Sequence, residues 1–151
     1  MNEALRLFYR AIELDPDFAS AYGMAVRCYG QRKALGWTAD RVNEMAETER
    51  LARRAADLGK DDAVALCFGG FGLAYVVGDF DDGAAMTDRA LVVNPNLAVA
   101  WMCSGWVRTF RGEPEMAISH LARAMRLSPL DPITFQMQIR HRVGSLLRTT
   151  L

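Results

Sequence analysis

Between Ala98 and Pro129 small residues, an aromatic residue and a proline fall at fixed intervals, and that pattern recurs in poorer copies elsewhere in the chain. The stretch runs Trp101, Ser104-Gly105 and Arg108, turns at Gly112, and continues Ala117, Leu121, Ala124 to close at Pro129. A glycine inside a helix costs about 1 kcal/mol relative to alanine. Gly105 in such a place therefore predicts a second backbone lying close against it. Ala117 and Ala124 call for the same close approach. A unit repeated at a few tens of residues cannot bury its apolar face alone, so copies must stack on one another.

The copies can be followed along the chain. Ala4, Phe8 and Ala11, then Asp15-Pro16, repeat the spacings of Ala117, Leu121, Ala124 and Pro129, so residues 1–16 read as a lone second helix. Leu5, Leu7, Phe8 and Ile12 on it are expected to leave apolar surface uncovered, which suggests a fragment. Residues 17–60 form the next unit, with Asp17 expected as N-cap and Tyr22, Met24, Ala25, Val26 and Tyr29 on the first helix. Pro16 to Lys60 is 44 residues, longer than the 34 from Pro95 to Pro129. The excess falls near Gln31–Asp40 and predicts a longer first helix and a loop. The partner helix starts near Asp40, capped by Asp40 or Thr38.

Residues 61–95 make the following unit, capped by Asp61 or Asp62, turning at Gly78 and continuing from about Asp79 to Val93. Gly70 to Gly78 spans eight residues where Gly105 to Gly112 spans seven, so this copy carries one extra residue. Residues 96–129 are the in-register unit, with Asn96 expected as cap and Pro114 at the first place of its second helix, where no N–H is needed. Residues 130–137 open a further helix through Phe135. From residue 138 to 151 the periodicity stops, and Arg140-His141-Arg142 reads as a basic tail unrelated to the repeat, as a frameshift or truncation would leave.

The order Trp-x2-x-Gly…Ala-x3-Leu-x2-Ala…Pro resembles the tetratricopeptide repeat, with Ser104 and Arg108 standing where that family has Leu and Tyr. The resemblance implies an all-α, right-handed superhelical solenoid of helix–turn–helix repeats. It also implies that first helices line a concave groove and second helices form the back. Carried onto this chain, the groove positions are Met24, Arg27 and Gln31, then Phe68, Phe71 and Tyr75, then Met102, Trp106 and Phe110. Trp101 is expected in the core. Trp, Tyr and Met are enriched at binding hot spots, so the wall implies a protein or peptide partner. Some members of the family hold acidic chaperone tails with Lys and Asn along the groove. Here those places hold Phe, Met and Trp, with Arg27 as the one cation, which disfavours that ligand. The wording of residues 4–17 with the Gly36-Trp37 loop also resembles repeat regions of bacterial nucleotide cyclases and transcriptional regulators, which makes a truncated regulatory region the alternative. No catalytic motif of either occurs in the sequence.

Composition narrows the function classes. Eighteen basic residues balance eighteen acidic ones, so no global field draws the chain to nucleic acid or a membrane surface. The uncharged stretches 63–78 and 90–107 are too short or too interrupted to span a membrane. Cys28, Cys67 and Cys103 lie 39 and 36 residues apart, without the close clusters of a metal site, and fit a reducing, cytoplasmic compartment. Arg50, Arg53 and Arg54 read as a solvated charged face rather than a phosphate site. The Asp79–Gly83 cluster lacks the Gly and Glu that a calcium loop needs at its sixth and twelfth places. It reads as an acidic helix start. No nucleophile, metal or phosphate motif is present. The expectation is a non-catalytic interaction module without cofactor, able to self-associate through uncapped ends.

Overall fold

The computed structural model describes residues 2–130, and every regular element among them is helical. Helix α1 is Asn2–Leu14, α2 is Ala19–Ala34 and α3 is Arg41–Leu58. Helix α4, Ala63–Gly72, runs directly into a π-helical turn, Leu73–Val77. Helices α5 (Phe80–Val93), α6 (Ala98–Phe110) and α7 (Pro114–Leu127) follow. The expected helix from Asp131 and the tail 138–151 lie outside the described residues.

Helices α2, α4 and α6 pack side by side as one layer, and α1, α3, α5 and α7 pack against them as a second. The result is an all-α solenoid of three successive helix pairs preceded by α1. Its middle is α4, which touches α2, α3, α5 and α6. A helix buried on all sides must be apolar all round, and the Ala63–Gly72 segment AVALCFGGFG contains no charge. Leu66, Cys67 and Leu73 join Val26, Leu51, Ala52, Ala55 and Cys103 in the main core.

The small residues sit where backbones meet. A Cβ on Gly23 would lie 2.8 Å from Ala65 Cα, and one on Gly70 would lie 2.7 Å from the Gly83 carbonyl oxygen. On Gly105 the nearest atom would be a side chain, Leu121 Cγ at 2.7 Å, with the backbone of α7 behind it at Ala117 O, 3.3 Å away.

Helix starts follow the sequence in part. Asp40 caps α3 by accepting from Asn43 N, Asp62 caps α4 through Val64 N and Ala65 N, and Asp79 caps α5 through Asp82 N. Pro114 stands at the start of α7. Two caps differ from expectation. Phe18, not Asp17, precedes α2, and Leu97, not Asn96, precedes α6, neither giving a side-chain cap bond. In both cases the polar side chain upstream is used on the turn itself. Asp17 N–H donates to Asp15 Oδ1, and Asn96 N–H donates to Asn94 Oδ1. An Asx side chain that closes its own turn shifts the helix start by one residue.

Helix ends show where the extra residue went. Gly36, Gly78 and Gly112 have φ of +71°, +92° and +74°, the left-handed conformation that ends helices. After Gly36 and Gly112 the next N–H reaches back five residues, Trp37 to Arg32 O and Glu113 to Arg108 O. After Gly78 it reaches back six, Asp79 to Leu73 O, and Gly78 N–H itself bonds Leu73 O at 2.8 Å. The extra residue of this unit is thus absorbed in one wide turn.

Charged side chains tie the outer helices together. Arg50 pairs with Glu47, Arg54 with Asp17, and Arg53 with Glu49, Asp79 and Asp82, so the three arginines expected on a charged face are all engaged by carboxylates. Asp79 and Asp82 are committed to capping and to Arg53 rather than arranged around an ion. Arg108, only 6% exposed, joins Asp88 of α5 to Glu113 at the start of α7. Burial works against its charge, and the two carboxylates more than offset that and raise its pKa.

Candidate binding groove

The inner layer encloses an open cavity of about 270 Å³. Helix α2 lines it with Arg27, Gly30, Gln31 and Ala34. Helix α4 and its π turn supply Phe68, Phe71 and Tyr75, and α6 supplies Met102, Cys103, Trp106 and Phe110. Eight of the nine positions named from sequence therefore face one space. The ninth, Met24, is not among the lining residues; it is half-buried against the main core. Met24 stands one turn before Arg27, and there its side chain packs against the core instead.

The wall is a run of rings. Phe71 stacks on Tyr75 with centroids 5.3 Å apart, and Tyr75 stacks on Phe110 at 5.5 Å with planes 17° apart. Trp106 continues the run at 6.3 Å from Phe110. These distances are those of favourable offset ring pairs. The rings come from two different helix pairs, so the wall exists only when the repeats are stacked. Phe68, 7% exposed, belongs both to the core and to the cavity lining.

The π turn helps to place Tyr75. A helix end leaves its last carbonyls without partners inside the helix, and Lys33 Nζ reaches across from α2 to donate to Tyr75 O. The same ammonium stands 4.8 Å over the centre of the Tyr75 ring, within the range of a cation–π contact. Arg27 makes the corresponding contact at the other end, with its guanidinium carbon 5.4 Å from the centre of the Phe68 ring. Burial pushes the Lys33 pKa down, with Arg41 adding to the effect.

Gly30, Ala34 and Cys103 line the cavity without having been named as groove positions from the sequence. A Cβ on Gly30 would come within 3.3 Å of the Phe71 ring; the glycine leaves the ring its space. The Cys103 thiol is fully buried and sits against Cys67 of α4. The hydrogen bond with Cys67 and burial together push its pKa well up. Both thiols are free, and a thiol held protonated is a poor nucleophile.

Trp101, expected in the core, is half-buried at the opposite side of α6. Its indole N–H donates to Pro95 O at 2.8 Å, and its ring packs on Leu121 and Ala124 and edge-on to His120. An indole at a helix start can bury its ring while its N–H serves the preceding turn. Beside it, Ser104 Oγ lies 2.9 Å from His120 Nδ1. Ser104 is fully buried between α6 and α7, so this pair holds two helices together and presents no nucleophile to an outside substrate. No helix among the described residues is long and apolar enough to cross a membrane.

The same backbone course is found in solved structures. It overlays TTC0263, a thermophilic tetratricopeptide-repeat protein of Thermus thermophilus, with a TM-score of 0.72 over 96% of this chain and 73% of that one, at 18% identity. The chain has the tetratricopeptide-repeat fold. YrrB, a repeat protein with an unusual peptide-binding site, matches at a TM-score of 0.56 and 20% identity over 91% of this chain and 82% of its own. MamA matches at 0.60 and 16% over 96% and 78%. No protein-family model and no curated protein matches the sequence. The cavity lies along the layer formed by α2, α4 and α6.

Proposed function

We propose that the chain is a non-catalytic protein-interaction module that holds a peptide or helix of a partner in the groove between Arg27 and Phe110. The observation that carries this reading is the run of four rings, Phe71, Tyr75, Phe110 and Trp106, along an open cavity rather than in the sealed core. Partly exposed aromatic side chains in a concave site are the usual anchors of protein recognition, because they bring large contact area at little entropic cost. YrrB, which shares the fold and has an unusual peptide-binding site, supports a peptide as the kind of partner.

Dodecapeptides displayed on phage and selected on the full chain provide a ligand for the test. Trp106→Ala with Phe110→Ala is expected to weaken the selected peptide by about 2 kcal/mol or more, roughly 30-fold in Kd, with helicity by circular dichroism retained. Binding that survives the double substitution in a folded chain overturns the reading.

A further inference from the structure

We propose that Cys67 and Cys103 together form a two-thiolate site for one soft monovalent cation of the Cu(I) class, reached through the groove. The two residues stand on neighbouring helices, α4 and α6, and share the main core cluster. The Cys103 thiol is hydrogen-bonded to Cys67, and the Cys67 thiol in turn donates to Val64 O at 3.4 Å. Two sulfurs 36 residues apart in the chain are thus brought side by side, both fully buried and both free. Cys103 also lines the open cavity, so an ion that enters the groove meets the pair directly. Met102 lines the same cavity and brings a soft thioether to its wall.

The donors select the ion. Thiolate sulfur favours Cu(I), whereas magnesium and calcium want oxygen. Structural zinc takes four ligands, and among the described residues no group of three or more His, Cys, Asp or Glu side chains converges. A monovalent ion with a filled d shell is content with two sulfurs in line. Binding breaks two S–H bonds, forms two sulfur–metal bonds and releases two protons to water, and no electron is transferred. The product carries one negative charge, which a dry core penalises unless a cation stands near. Arg27 is that cation. It lines the same cavity, and no carboxylate among the described residues pairs with it, whereas Arg32 on the same helix is held by Glu44. Its charge already favours the thiolate form of Cys103 against the burial that opposes it.

The reduced full chain is titrated without oxygen with Cu(I) in competition with the chelator bicinchoninate. It is expected to take up one ion, with two sulfur neighbours by X-ray absorption. Cys67→Ser and Cys103→Ser should each weaken uptake by more than about 100-fold, beyond what loss of a ligand's supporting partner costs. Cys28→Ala should leave it unchanged, and Arg27→Gln, which keeps both sulfurs, should weaken it by a smaller factor. If a serine variant loses helicity, the native chain decides. There the bound ion should protect Cys67 and Cys103 together from N-ethylmaleimide in mild urea, with Cys28 alkylated at its metal-free rate. No uptake against the chelator, an ion held by one sulfur, uptake that survives either serine substitution, or protection that falls on Cys28 overturns the proposal.

Discussion

His120 shows how one side chain records its surroundings as a pH dependence. It lies between α6 and α7, bonded to Ser104 and edge-on to Trp101 at 5.0 Å between ring centres. Burial depresses its pKa below the ordinary 6.5, with Arg108 acting in the same direction and Asp88 opposing. The folded state therefore takes up a proton less readily than the unfolded chain, so stability is full above 6.5 and falls as pH drops from there toward the folded-state pKa. Urea melts between about pH 7.5 and 5 should show that loss, and His120→Asn should flatten it. The carboxylates do not confuse this window. The Glu44, Glu47, Asp82 and Glu113 pKa values are all lowered by arginine partners, so what they contribute is lost only at more acid pH. Residue roles of this kind were hidden in the sequence. Ser104 and Arg108 could be seen there only as departures from the Leu and Tyr of the repeat, because the partners that explain them, His120, Asp88 and Glu113, lie beyond the helix that carries them.

Elements were more legible than their ends. Apolar spacing, Gly turns and Pro placement located the helices because each reflects chemistry within a few residues along the chain. The caps at Phe18 and Leu97 could not be read the same way, since Asp15 and Asn94 each close a turn on the N–H of the expected cap, Asp17 and Asn96, and the helix begins one residue later. Glycines inside helices carried the long-range part of the message. At Gly23 the neighbour is the backbone of α4, with Ala65 Cα 2.8 Å from where a Cβ would stand, and backbone cannot rotate aside. Gly23→Ala should gain the roughly 1 kcal/mol of helix propensity and still destabilise the chain, by about 1–3 kcal/mol of overpacking. Chemical denaturation at equilibrium checks the sign, and a more stable variant would mean that α2 and α4 can move apart freely.

At the scale of the molecule, α4 is the shared member, packed against the two helices just before it and the two just after it. Truncating Leu66, 1% exposed in the main core, is expected to cost about 2–5 kcal/mol as Leu66→Ala. Helicity and tryptophan fluorescence should be lost together in urea, because Trp101 and Trp106 report on the last helix pair while Leu66 belongs to the middle one. Separate transitions would show that the pairs melt independently. The groove was legible in outline for the same reason that α4 is central: first helices recur with a fixed face, so Phe68, Phe71, Met102 and Trp106 could be placed together through the repeat, whereas the covering of Met24 depends on three-dimensional packing. The wide turn at Leu73–Val77 has a wider meaning for such a coil. It admits a whole residue and then hands the chain to the same left-handed glycine and the same acidic start that a seven-residue spacing would have reached. Insertion here changes which side chain faces the cavity without disturbing the stacking that follows, so a lineage of such coils can change its vocabulary one letter at a time and keep its grammar.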